Sequence, residues 1–105
     1  MEFTFKGKLR KQLETDKAMQ KAFGANRAKP LKRRLNELRY ARTLDDVERD
    51  PPPKCHELTG DEKGKFAVTV TGNWRLIFEP DPFVKGHVNL AEVRRIRLLE
   101  LKDYH

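Results

Sequence analysis

Residues 66–78 constrain the fold most. Phe66-Ala67-Val68-Thr69-Val70 alternates large apolar with small or polar side chains, the period of a half-buried strand. Trp74-Arg75-Leu76-Ile77-Phe78 repeats the pattern with Ile77 as an exception, and Thr71-Gly72-Asn73 between them carries the turn chemistry of a hairpin. Two registers compete. A two-residue loop pairs Val70 with Arg75 and Phe66 with Glu79. A three-residue loop pairs Val70 with Trp74, Val68 with Leu76 and Phe66 with Phe78, which gathers the large apolar side chains on one face. A slip of one residue would send half of them to the other face, so the three-residue loop is expected, with Asn73 in the left-handed conformation. Arg75, Thr69, Ala67 and Ile77 then share the opposite face, a mostly polar floor suited to an anion.

The rest of the chain dresses this hairpin. Met1-Glu2-Phe3-Thr4-Phe5 alternates and predicts a first strand ended by Gly7. Leu9 and Leu13 then lie four apart on one helical face. Thr15 or Asp16 caps a helix over residues 17–23, and Gly24 closes it or forms a joint. Ala28, Leu31, Leu35 and Leu38 recur at helical spacing in a helix capped by Asn26 and reaching about Ala41; they should face the sheet. Pro30 suits the first position of that helix and otherwise distorts its first turn. Arg27, Lys29, Lys32, Arg33, Arg34 and Arg39 crowd the same helix as either a solvated or a binding face. Thr43 to Asp46 fits a capping box with Asp in place of Glu. Pro51-Pro52-Pro53 predicts an extended connector. Residues 83–89 are expected as a loop and residues 90–101 as the last strand. There Ile96 and Leu98 share one face and Leu99 and Leu101 the other; a bulge near Leu98-Leu99 would bring both pairs to the core, and a strand pair buried on both faces would give the same pattern.

With 105 residues the chain should form a single domain, residues 1–105. Its 23 Lys and Arg against 16 Asp and Glu give +7, which favours a polyanionic partner such as nucleic acid, or an acidic protein. One cysteine allows no intrachain disulfide, and no metal-ligand spacing occurs. No apolar run is long enough to span a membrane, and a cytoplasmic protein is expected.

Three segments in their order and spacing, His56-Glu57-Leu58-Thr59-Gly60-Asp61, Asn73-Trp74-Arg75-Leu76-Ile77-Phe78-Glu79-Pro80 and Asp103-Tyr104-His105, resemble the HigB branch of the RelE/ParE toxin superfamily. The resemblance implies an α+β fold, a small antiparallel β-sheet with N-terminal helices packed on one face. It implies ribosome-dependent cleavage of mRNA with no metal and no cofactor. It also implies a HigA-like antitoxin with a helix-turn-helix domain, and contact with DNA only through that antitoxin complex. The chain departs from the family at Thr59, where a basic residue is common, and at Glu62-Lys63, where an arginine is. Rival functions on the same fold are a ParE-like toxin that binds gyrase, and a non-catalytic RNA- or protein-binding module.

Metal-free RNA cleavage needs a base for the 2′-hydroxyl, a cation for the phosphoryl oxygens and an acid for the departing 5′ oxygen. Histidine suits both proton transfers. The family motifs point to His56 and His105 as the acid/base pair, in either order. Tyr104 is expected to orient the 2′-hydroxyl or stack on a base, and Asp103 to fix the tautomer of a neighbouring imidazole. Arg75 is the expected phosphate ligand because its planar fork pairs with two oxygens, with Lys63 and Lys65 as further RNA contacts. His87 is read as solvated, Cys55 as a small buried residue and Trp74 as core.

Overall fold

A computed structural model describes residues 1–104; the expectation for His105 falls outside them. Eight elements follow in order: β1 (Glu2–Phe5), α1 (Leu9–Gln12), α2 (Asp16–Phe23), α3 (Ala25–Tyr40), β2 (His56–Glu57), β3 (Phe66–Thr71), β4 (Trp74–Pro80) and β5 (Arg95–Asp103). The strands form one sheet in the order β1-β5-β4-β3-β2. It is antiparallel except at one edge, where β1 runs parallel to β5. The fold class is the expected α+β, with helices on one face.

The central hairpin keeps the expected register over most of its length: Phe66 faces Phe78 and Val68 faces Leu76. The tip differs. Thr69 pairs with Arg75 and Thr71 with Trp74, so Val70 is an extra residue and the turn is Gly72-Asn73. The bulge reconciles a two-residue turn with the apolar register. Gly72, not Asn73, takes the left-handed conformation, at φ +55. A second bulge separates Ile77/Glu100 from Phe78/Leu98 and leaves Leu99 unpaired. It brings Ile96, Leu98 and Leu101 to the helix side, where the first two are fully buried. Residues 90–94 are not strand: Leu90–Glu92 is a 3-10 turn in which the Ala91 N–H donates to Asn89 Oδ1 at 3.1 Å.

α3 supplies the other half of the core. Ala28, Leu31, Leu35 and Leu38 are all buried against the sheet and join Val68, Leu76, Phe78, Ile96 and Leu98 in one cluster. Each buried leucine or phenylalanine contributes about 1.5–3 kcal/mol. Thr15, not Asp16, caps α2: its Oγ accepts from the Ala18 N–H at 3.0 Å. Gly24 is the joint between α2 and α3 at φ +86, and Asn26 lies inside the first turn of α3 rather than capping it. Pro30 therefore sits one turn into the helix, where only the Asn26 carbonyl loses its helical donor. The capping box at Thr43 forms, with Asp46 Oδ2 accepting from the Thr43 N–H. The three prolines are a turn rather than an extended connector, closed by Lys54 N–H to Asp50 O at 3.1 Å.

One cation of α3 is inside. Arg34 is 4 % exposed; its Nε donates to Thr69 O at 2.7 Å and its Nη1 to Glu37 at 2.8 Å. The Thr69 N–H donates to Pro53 O at 2.8 Å. β2 is only two residues long, so these two contacts finish the edge of β3 where β2 stops and leave no open ladder there.

Candidate functional site

Side chains of directly paired residues share a face. The register therefore sorts the sheet. Trp74, Leu76, Phe78 and their partners face the helices. The other face carries His56, Ala67, Ile77 and Glu100 in one row, Thr69, Arg75 and Lys102 in the next, and Thr4, Glu79 and Arg97 beyond. Ala67 and Ile77 are buried on it, so the expected polar floor is polar only around them.

His56 is exposed on β2, and its Nδ1 lies 3.0 Å from Lys54 O. A carbonyl oxygen only accepts, so this contact puts the proton on Nδ1 and leaves Nε2 as the basic nitrogen. Lys54 reaches this position at φ +46, the one non-glycine residue with positive φ among those described. Such strain costs on the order of 1–3 kcal/mol and clusters at functional sites.

Arg75 is half-buried at the hairpin tip. Its Nη1 donates to Gly72 O at 2.7 Å and Trp74 O at 3.1 Å, which fixes the guanidinium and leaves Nε and Nη2 for a ligand. It lies one row along and two strands across from His56, roughly 12 Å between backbones at ordinary sheet spacings. Lys102 pairs with Arg75 across the ladder, and its Nζ sits 5.1 Å from the centre of the Tyr104 ring. The Tyr104 N–H donates to Asn73 O at 2.9 Å, so this exposed tyrosine borders the hairpin tip. Asp103 pairs with Trp74 and so lies on the helix side of the sheet, away from His56, whose imidazole is oriented by Lys54 instead. The structure thus brings His56, Arg75 and Tyr104 to one face and puts Asp103 on the other.

Lys65 is bound to Glu62 at 2.8 Å, while Lys63 is exposed. The hydrogen bond from Lys65 holds the Glu62 carboxyl below its usual range, helped by Lys102 and Lys6; the same bond raises the Lys65 ammonium. Glu62, on the Gly60–Glu62 turn, thus lies within electrostatic reach of both β5 and the end of β1. Sequence reasoning missed Lys54, Glu62, Glu100 and Lys102. Once the bulge at Leu99 is placed, alternation along β5 is the signal for the last two. Trp74 is half-buried against the core, with the Arg27 guanidinium 4.1 Å from its ring centre. His87 is exposed. Among the described residues no group of three or more His, Cys, Asp or Glu is placed to hold a metal ion, and no helix is long and apolar enough to cross a membrane.

Cys55 adjoins His56 but is buried, and burial pushes its thiol up to about 11 against the pull of Arg49. A thiol raised in the folded state stays protonated after the unfolded chain has begun to ionise. Its contribution to stability is therefore present below the ordinary value of 9.0 and is lost as pH rises toward about 11. The stability of the parent relative to Cys55→Ala should shrink over that window in denaturant melts. A gap independent of pH would show that the thiol is not held protonated.

No curated protein matches the chain by sequence. Among solved structures, the YoeB/ParE toxin from Agrobacterium tumefaciens superposes with a TM-score of 0.59 at 12% identity, over 100% of both chains. The YoeB-YefM complex from Staphylococcus aureus gives 0.59 at 11% identity, over 100% of this chain and 97% of that one. The YoeB dimer from Staphylococcus aureus gives 0.56 at 14% identity with the same coverage. At such identities the likeness is one of fold. A family model, the RelE-like toxin of type II toxin-antitoxin system HigB, matches residues 3–91, most of the chain. The chain belongs to the HigB-like family of RelE-like toxins of type II toxin–antitoxin systems.

Proposed function

We propose that this toxin is a single-domain, cytoplasmic endoribonuclease that cleaves mRNA on the ribosome without a metal. The observation that supports this most is the exposed His56, whose Nε2 is left basic by the Lys54 contact, on a sheet face shared with Arg75, Lys65 and Lys102. In the proposed step Nε2 of His56 takes the proton of a 2′-hydroxyl. The freed oxygen attacks the adjacent phosphorus, and the bond from phosphorus to the 5′ oxygen breaks. His105 returns a proton to that 5′ oxygen, leaving a 2′,3′-cyclic phosphate and a 5′-hydroxyl. Arg75 meets the phosphoryl oxygens with its remaining donors, and Lys63 and Lys65 hold flanking phosphates. Tyr104 stacks on a base beside the cleaved bond. Asp103 supports the segment from the helix side.

The partner that silences the toxin is proposed to be a HigA-like helix-turn-helix antitoxin, through which alone the pair touches DNA. Acidic antitoxin residues would meet the exposed cations of α3 among residues 27–39. The fold likeness to the YoeB/ParE toxin leaves room for one second reading, a ParE-like toxin acting on gyrase. That reading, like a purely binding role, leaves His56 without work. Mapping mRNA ends in cells after brief induction separates them. Cuts within translated codons are expected. Intact mRNA with DNA damage would replace the nuclease by the gyrase reading, and intact mRNA and DNA would leave the binding role.

A further inference from the structure

We infer that the segment Lys6-Gly7-Lys8-Leu9-Arg10-Lys11 carries the RNA backbone round the β1 edge of the sheet, outside the face that holds His56. The inference rests on the endoribonuclease reading and extends it from the cleaved bond to the strand beside it.

Four of these six residues are cations, and all four are exposed. None of them takes part in a salt bridge among the described residues. The segment is nevertheless fixed. Leu9 is 5 % exposed and belongs to the core cluster, and the Arg10 guanidinium lies 4.8 Å from the centre of the Phe5 ring. Gly7, at φ +57, turns the chain from β1 into α1. Lys6 continues the site face, because it lies two residues beyond Thr4 with its N–H donating to Leu98 O at 3.0 Å. Cations thus recur from Arg75 and Lys102 across the sheet to Lys6, interrupted by Glu100 and Glu62, and continue round the edge to Lys8, Arg10 and Lys11.

The chemistry of the strip favours a phosphate backbone over a protein. Protein interfaces are enriched in aromatic anchors and depleted of lysine. The exposed large apolar residues described in this chain are Tyr40, Phe83, Val84 and Tyr104, and none lies in this segment. Three lysines and an arginine grouped around the half-buried Phe5 ring match the counterion-releasing contact that nucleic acids use.

The test uses a short 2′-O-methyl oligoribonucleotide, which cannot be cut because its 2′ oxygen is blocked. Its affinity is measured over a salt series for the parent, for Lys8→Gln with Lys11→Gln, and for Lys17→Gln with Lys21→Gln on α2 as a control. Each phosphate contact on a single strand contributes about 0.7 to the slope of log affinity against log salt, so losing two should lower it by about 1.4. Lys11→Gln alone should lower it by about 0.7 and serves if the double change perturbs the fold. The control should keep the parent slope. If the parent binds the oligonucleotide and the Lys8/Lys11 variants match it in slope and affinity, the inference falls while the endoribonuclease reading stands. If the parent does not bind it, the inference falls, and the endoribonuclease reading is decided separately by the mapping of mRNA ends. A variant that loses the antitoxin but keeps RNA would make the segment a protein contact and overturn the inference.

Discussion

His56→Gln should lower ribosome-dependent cleavage by about 10²–10⁴-fold, the usual contribution of a positioned acid or base, with no material loss of fold. The imidazole is exposed and makes one hydrogen bond among the described residues, to Lys54 O, so little packing depends on it. Glutamine keeps a polar side chain of similar reach but cannot accept the 2′-hydroxyl proton. The same outcome is expected for His105→Gln and for deletion of His105. Each variant should still bind antitoxin and ribosomes. Cys55→Ala should remain toxic, since a buried thiol raised to about 11 is no nucleophile near neutral pH. Growth arrest on induction, paired with thermal melting, reads all four. A folded His105 variant as toxic as the parent would remove that residue from the reaction. Full toxicity of a folded His56→Gln would end the nuclease assignment.

Arg34→Ala should destabilise the protein by about 2–3 kcal/mol, while its neighbour Arg33→Ala should stay within about 0.5 kcal/mol of the parent. Arg34 is buried and is the donor to Thr69 O, so its removal leaves a carbonyl of β3 unpaired at a place water does not freely reach. Its ion pair adds little to this figure, because the Glu37 side chain is 41% exposed and can turn to solvent. Arg33 is exposed and makes no salt bridge among the described residues. In a domain of this size the difference should appear as roughly 10 °C in melting temperature. Equal melting of the two variants would mean that the edge of β3 does not depend on Arg34.

The contrast between these two arginines shows what the sequence could reveal. Arg34 was legible in principle. Leu31, Arg34, Leu35 and Leu38 follow the spacing of one helical face, and a cation in such a stripe needs a buried partner. Residue type alone hid it among five other cations. The hairpin register was readable because Phe66, Val68, Leu76 and Phe78 admit one pairing that buries them together. The tip was not, since a bulge at Val70 and a turn at Gly72-Asn73 produce the same register as a three-residue loop. The bulge at Leu99 was readable for the opposite reason: apolar residues that change phase within one strand must be brought back into step. The candidate site was named in the sequence by residue types and order. The Lys54 conformation that turns His56 was not, because local backbone strain leaves no periodic mark. Nor was the parallel pairing of β1, which depends on a partner far along the chain.

That pairing bears on when the toxin becomes dangerous. β1 is made early, yet the strand it lies against is made after all the others. A contact between such distant parts of a chain must wait for the loop between them to close, which slows folding. β5 also fills the gap between β1 and the hairpin, and it contributes Glu100 and Lys102 to the face that carries His56. During synthesis, then, the growing polypeptide holds the helices and the hairpin but lacks the middle of its working surface. Under the proposed activity, the ribosome that makes it would be spared until the final strand has emerged and threaded between its two neighbours. An antitoxin has the same interval in which to be ready.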